Sequence, residues 1–355
     1  MEYPANPSAL AAELWEQVGG EEILGAAGAS VGERFAADGG MPAAEELLTT
    51  LDGRELLTFL AEQVKQESGG WFASLGSVLG LLILLSVWKR WRDTVHDSGS
   101  GALFSLFCTA SLAVVCFTVL SDGMETVRAA AASLHTVMTT ASAVLTALTA
   151  ARGMMTAAAV SSAGMALLLT AMETVTGGVL LPLVRICGGF ALAALFDRDS
   201  PLGCVGRLLR KNFLFLTGAL MALLTAVLSF QTVLASASDS LAMRTARFTL
   251  SSAVPVIGSA IGDAVTTVSA AVTLVGKTAG LLGAAVILLQ LLPPIVSVFG
   301  MRLLFQICAC AAELLSLGGE AKLLHETEEL AGFLCAVLAS EGVFYVLMLA
   351  VCMKG

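Results

Sequence analysis

From Trp71 onward the chain alternates long apolar runs with short polar ones, and the run lengths predict its elements. A helix rises about 1.5 Å per residue and the hydrocarbon core of a bilayer is about 30 Å thick, so roughly 20 consecutive apolar residues read as a crossing. WFASLGSVLGLLILLSVW, Trp71 to Trp88, is the first such run. Its two tryptophans stand about 25 Å apart on a helix, which places both at headgroup level. Ala102 to Leu120 is the second run. Residues 131–196 form an Ala/Thr/Leu tract interrupted by Arg152, Glu173 and Gly177-Gly178, and divide into three crossings near 133–150, 154–173 and 177–196. One crossing plus a re-entrant hairpin at AARGMMTAAAVSSAG has the same parity. Phe213 to Ala235, Ala279 to Val298 and Leu330 to Met353 bring the count to about eight. Pro293-Pro294 predicts a kink or a helix end. Residues 300–326, carrying Arg302, Lys322 and His325, read as a cytoplasmic interfacial helix.

Upstream of Trp71 the pattern changes. Residues 42–66 place Leu56, Leu57, Leu60 and Val64 on one helical face, with Asp52 as the N-cap. That face packs on its neighbours or lies along the membrane surface. An earlier helix around Leu10, Leu14, Trp15 and Val18 completes a small helical cap.

Composition supports this division. The 355 residues are 57% apolar and 13% charged, with a mean hydropathy of +0.86, whereas soluble domains are about half apolar and a quarter charged. Of the formal charge of −9, residues 1–70 hold 13 acids against 3 bases, and residues 71–355 hold 15 against 16. The imbalance marks a boundary near Gly69-Gly70 between an acidic extramembrane region, 1–70, and a transmembrane domain, 71–355. Lys89, Arg90 and Arg92 follow the first run directly, so the positive-inside rule orients that end to the cytoplasm and the acidic region outside. The basic loop with Arg198, Arg207, Arg210 and Lys211 is cytoplasmic by the same rule. The chain opens MEYPANPS, which lacks the basic and apolar regions of a signal peptide. The fold class is therefore all-α: a polytopic integral membrane protein with a small N-terminal helical extracytoplasmic region.

Candidate chemistry is sparse. Seven of the eight cysteines lie in apolar runs and read as small hydrophobes; only Cys204, in DRDSPLGCVGRLLRKN, reads as accessible. AVTLVGKT, Ala271 to Thr278, fits a relaxed phosphate-loop pattern, but its turn would be Val-Thr-Leu-Val at the mouth of a span. Converging backbone N–H groups need glycines there, so Lys277 is read as an interfacial lysine and no nucleotide, cofactor or metal is expected. His96, His135 and His325 belong to separate segments, without cysteine or carboxylate at ligand spacing, and no catalytic motif appears. Basic residues are scattered, which excludes a nucleic-acid surface. The chain is not expected to be an enzyme.

Two charges lie deep within apolar runs: Arg185 in LLPLVRICGGFALAALF and Glu341 in FLCAVLASEGVFYVLML. A charge at a span centre costs about 2.5 to 3.5 kcal/mol on insertion scales. The pair therefore either bridge a helix interface or line a polar path, unless Arg185 snorkels and Glu341 stands neutral in lipid. Glycines at four-residue spacing, Gly76 with Gly80 and Gly258 with Gly262, allow close helix approach, and the pair in the first run is the stronger candidate contact.

The segment FQTVLASASDSLAMRTARFTLSSAVPVIGSAIGDAVTTV, residues 230–268, is too charged to cross and too apolar for a solvated loop. It reads as an amphipathic helix with Asp239, Arg244 and Arg247 opposite Leu241, Met243 and Phe248. A broken apolar hairpin follows at Pro255, Gly258 and Gly262. Such backbone survives at membrane depth only when buried in protein or lining a cavity, making the segment a re-entrant or pore-lining candidate. The alternative is an interfacial helix followed by a short, tightly packed one.

On these residues the chain resembles the stage III sporulation protein AE (SpoIIIAE) family. The resemblance lies in Arg244 to Arg247, the Pro-Val-Ile-Gly turn at Pro255 to Gly258, and Asp263-Ala264, followed by a leucine-rich span containing proline; Ser251 to Ala253 and Thr266 depart from the pattern. It implies an integral-membrane core subunit of the SpoIIIA–SpoIIQ apparatus, a transenvelope channel or secretion complex between mother cell and forespore. Implied with it are partner membrane subunits, ring-forming subunits, a separate cytoplasmic ATPase subunit and a cleaved leader. It also implies residence in the mother-cell membrane around the forespore, with the N-terminal region extracytoplasmic; homo-oligomerisation stays open. A stand-alone secondary transporter of small solutes and a passive membrane scaffold are the rival readings. No self-similarity between the halves supports the transporter.

Overall fold

The structure, a computed structural model, describes residues 15–16, 21–26, 53–95, 100–151, 155–196, 208–209, 211–213, 215–229 and 258–354. In chain order these comprise α1 (Glu21–Gly25), α2 (Gly53–Val95), α3 (Ser100–Ala151) and α4 (Met155–Val175), then a π-helical turn (Thr176–Leu180) and α5 (Leu181–Phe196). The apolar helix α6 (Lys211–Ser229) follows, then α7 (Gly258–Leu314) and α8 (Gly318–Lys354). No strand occurs among the described residues.

Among the described residues, six helices are long and apolar enough to cross a bilayer, against the eight or so expected of the chain. The difference comes from two fusions. Ala102 to Leu120 and residues 133–150 lie in one 52-residue helix, α3, and the runs 154–173 and 177–196 are continuous through the π turn. Hydropathy treats Asp122, Glu125 and Arg128 as an interruption, yet the alanine-rich stretch around them contains no proline, and a polar residue does not end a helix. At about 1.5 Å per residue α3 is roughly 78 Å long, so part of it lies beyond the hydrocarbon. Each fusion removes one crossing, and two removals preserve parity. The basic loop after α5 thus stays on the side of Lys89.

Two other expectations meet continuous helix. α2 begins at Gly53, directly after the expected cap Asp52, and runs 43 residues through Gly69-Gly70, so the compositional boundary is no break in secondary structure. α7 runs 57 residues with Pro293 and Pro294 inside it; the prolines do not end the helix, and residues 300–314 continue it instead of forming a separate interfacial one. Membrane helices tolerate such prolines because neighbouring groups take over the freed carbonyls.

The centre of the molecule is the antiparallel pair α7–α8, the most buried of the six spans. Its register is recorded by three glycines: a Cβ on Gly332 would stand 3.6 Å from the Arg302 guanidinium, one on Gly342 2.1 Å from Leu291 Cδ1, and one on Gly283 3.1 Å from Leu349 Cδ1. α3 lies along both helices, with Gly123 against Met301 and Leu334. α5 docks through Gly188 on Leu120 and Leu330, and α2 through Trp71 on Gly300. In lipid, where no hydrophobic force drives helices together, such close approach at small residues supplies the packing energy.

The turn joining the pair is a Schellman motif. Leu317 N–H donates to Ala312 O (2.9 Å) and Ser316 N–H to Glu313 O (2.9 Å), around Ser316 at φ 60. Glycine usually takes this left-handed position. Lys89 Nζ, at the basic end of α2, donates to Ser316 O at 2.7 Å, and Thr109 of α3 donates to Glu320 Oε1 at 3.2 Å. The basic end of α2, the start of α3 and the α7–α8 turn therefore share one end of the molecule, as the orientation rule requires. Trp88 reinforces that end, its ring centroid 4.8 Å from Trp91 and 4.1 Å from Phe104.

The glycine contact expected in the first span is not made with any described residue. Gly76 and Gly80 face outward, and a Cβ on either would meet nothing within 4 Å. α2 instead docks through the opposite face, with Val78, Leu82 and Leu85 buried. Gly300, where an added Cβ would meet the rigid Trp71 ring at 2.2 Å, is the glycine on which the docking depends. Gly300→Ala is expected to destabilise the protein by about 1–3 kcal/mol through overpacking, while Gly80→Ala shifts it by less than about 0.5 kcal/mol. Thermal unfolding in detergent, followed by tryptophan fluorescence, compares the two.

Candidate intramembrane polar site

The polar site forms where a helical defect meets a buried acid. The segment TGGVL, Thr176–Leu180, is a π turn entered and left through ordinary helical residues, Val175 and Leu181, with Leu181 N–H bonded to Thr176 O. Gly177-Gly178 weakens the helix here, each glycine by about 1 kcal/mol relative to alanine. π turns occur chiefly where function or side-chain contacts sustain them. Opposite this one, on α8, stands Glu341, fully buried at 0% exposure. Its Oε1 accepts a hydrogen bond of 2.9 Å from Thr176 Oγ1, and Thr176 is itself 1% exposed. The second oxygen, Oε2, is buried without a protein hydrogen-bond partner.

These groups border a cavity of about 320 Å³ enclosed by three walls. α3 contributes Arg128, Ala131 and Ala132; the α4–π segment contributes Glu173, Thr174, Thr176, Gly177 and Gly178, with Leu181 at the start of α5; α8 contributes Glu341 and Tyr345. Tyr345 lies one helical turn after Glu341 and is buried. Arg128 is exposed, and the Glu173 side chain is 70% exposed. The cavity therefore has a charged mouth and a buried acid and tyrosine at its floor. Beside the mouth, His135 Nδ1 stands 4.0 Å from Glu173 Oε2, beyond hydrogen-bond reach.

A second polar cluster lies nearer the α7–α8 turn. Arg302 Nε contacts Glu328 Oε1 at 3.4 Å, and His325 contacts Glu313 at 3.1 Å and Glu328 at 3.7 Å. Folding thus brings carboxylates to His135 and His325, which the sequence reading left isolated. The partner Glu328 follows His325 by one turn, a spacing legible in advance. Neither cluster makes a metal site: no group of three or more potential ligands occurs among the described residues.

Arg185 and Glu341 are not brought together. Arg185, beyond the π turn, is exposed and without an ion pair to a described residue, whereas Glu341 is buried. Glu341 takes a hydroxyl partner instead. Asp239, Arg244, Arg247 and Pro255 lie outside the described residues. Gly258, Gly262 and Asp263 occupy the first turns of the continuous helix α7. Sequence reasoning missed Arg128, Thr176 and Tyr345. The available signal was Gly177-Gly178 inside an apolar tract, which it read as a gap between crossings.

These features define a multi-pass helical membrane protein with a polar cavity built on a helical defect. The sequence matches the family described as stage III sporulation protein AE (spore_III_AE) over residues 48–355, which include all six spans, and the chain belongs to that family. No curated protein and no solved structure matches it.

The hydrogen bond holding Glu341 is testable. Thr176→Val leaves a buried carboxyl group without its donor and is expected to cost about 1–3 kcal/mol, whereas Thr176→Ser retains the hydroxyl and stays close to the parent. Chemical denaturation in detergent measures both.

Proposed function

We propose that the chain is the integral-membrane core subunit of a transenvelope channel or secretion complex, the SpoIIIA–SpoIIQ apparatus, that links mother cell and forespore and is required for spore development. The observation that carries this reading is family membership extending over every span. The molecule would sit in the mother-cell membrane around the forespore, its acidic N-terminal region extracytoplasmic. It would act without enzymatic chemistry of its own, alongside other membrane subunits, ring-forming subunits and a separate cytoplasmic ATPase subunit. The shared end formed by Lys89 and the α7–α8 turn supports this orientation, because positive charge is retained in the cytoplasm.

A second reading, a self-sufficient solute transporter, is favoured by one observation: a helix perturbed by a π turn beside a buried carboxyl group, a weaker form of the interrupted helices on which many transporters build their sites. Expressing the tagged chain in a spore-forming host that lacks its own family member separates the two. Restored heat-resistant spores, with partner membrane subunits, ring-forming subunits and the ATPase co-purifying from sporulating cells, are the expected result. A chain that purifies alone and moves solute unaided in proteoliposomes would replace the complex with the transporter.

Orientation has its own test. With the chain produced in vegetative cells, whose plasma membrane presents its outer face to the medium, Cys204 in the basic loop is expected to resist a membrane-impermeant maleimide in intact cells and to react after permeabilisation. A cysteine introduced at Glu16 should react in both. The reverse pattern would invert the topology.

A further inference from the structure

We propose that the cavity between α3, the π turn and α8 binds a small zwitterion of the amino-acid class, its ammonium group on Glu341 and its carboxylate on Arg128. The inference does not rest on the complex described above, because binding to the isolated protein suffices to establish it. Three observations converge. Glu341 is wholly buried, yet one of its oxygens lacks a partner, an arrangement that buried polar groups seldom keep unless something else completes it. Arg128 lines the same cavity and makes no ion pair with a described residue, so a shielded, unpartnered acceptor and an exposed cationic donor border one cavity. The π turn adds backbone: Gly177 and Gly178 line the wall without side chains, and a Cβ on Gly177 would meet nothing within 4 Å.

Charge and size set the ligand class. Glu173 and Glu341 against Arg128 favour an ammonium group, but Arg128 in the wall works against a simple cation and rewards a carboxylate on the same molecule. Small-molecule pockets hold about 300 to 1,000 Å³. A cavity of about 320 Å³ is at the lower end, too large for a bare ion and suited to a compact metabolite. The floor, with Glu341, Thr176 and Tyr345, suits the ammonium group, a donor that meets carboxylate and hydroxyl oxygens. The mouth, where Arg128 is exposed, suits the carboxylate, which arrives last and keeps part of its hydration.

The experiment measures binding of glycine, alanine and serine to the purified full chain in nanodiscs by calorimetry, with ethylammonium, propionate and sodium as single-charge probes. The zwitterions are expected to bind at least tenfold more tightly than any single-charge probe. Glu341→Gln and Arg128→Gln should each weaken them tenfold or more; the glutamine at position 341 still accepts the Thr176 hydrogen bond. Gly177→Leu places a side chain in open space and should abolish binding while leaving the melting temperature near that of the parent. Binding of ethylammonium or sodium as tight as glycine, insensitive to Arg128→Gln, would overturn the assignment. So would zwitterion binding untouched by Glu341→Gln and Gly177→Leu, or no binding by a protein that melts normally.

Discussion

Hydrocarbon offers no partner to a peptide N–H or C=O, and this constraint shapes everything in the molecule. A backbone placed there has to bond to itself, and within one chain only a helix does so locally. Helices therefore persist through positions that would break them in water: α7 passes two adjacent prolines. At Gly177-Gly178 the chain widens into a π turn rather than opening into a loop. Continuity costs less than exposing free carbonyls to lipid.

Where continuity is perturbed, chemistry collects. The π turn carries Thr176, Thr176 holds Glu341, and the space left beside two glycines becomes a cavity. A buried carboxyl group is expensive in such a setting. Here its cost is offset by one hydroxyl hydrogen bond on one oxygen, while the other oxygen is left for something else. Family membership gives the chain a sporulation-associated role. The cavity places its buried acid beside polar groups rather than among leucines and valines alone.

Much of the fold was legible in the sequence. Helical class and the position of the first span follow from run length, and the loss of two crossings together leaves the expected sidedness of the basic loops unchanged. The count failed because hydropathy reports affinity for lipid, whereas helix continuity depends on propensity and on the absence of breakers. Glycine spacing misled for a related reason. Gly76 and Gly80 have the interval of a close contact, yet Gly300 makes it, since contact depends on what stands opposite and no interval records that.

By itself, then, the sequence determined that the chain is helical and carries membrane-spanning runs, because those properties sum over many residues and tolerate local misreading. Tertiary structure decided which acid meets which partner. Depth alone left Arg185 and Glu341 as a pair, as a polar path or as unrelated charges, but a helix also assigns direction, and direction turned Arg185 outward and set Thr176 against Glu341. A site depends on a few atoms within a few ångströms, and only the packing of α3, α8 and the π turn brings those atoms within reach of one another.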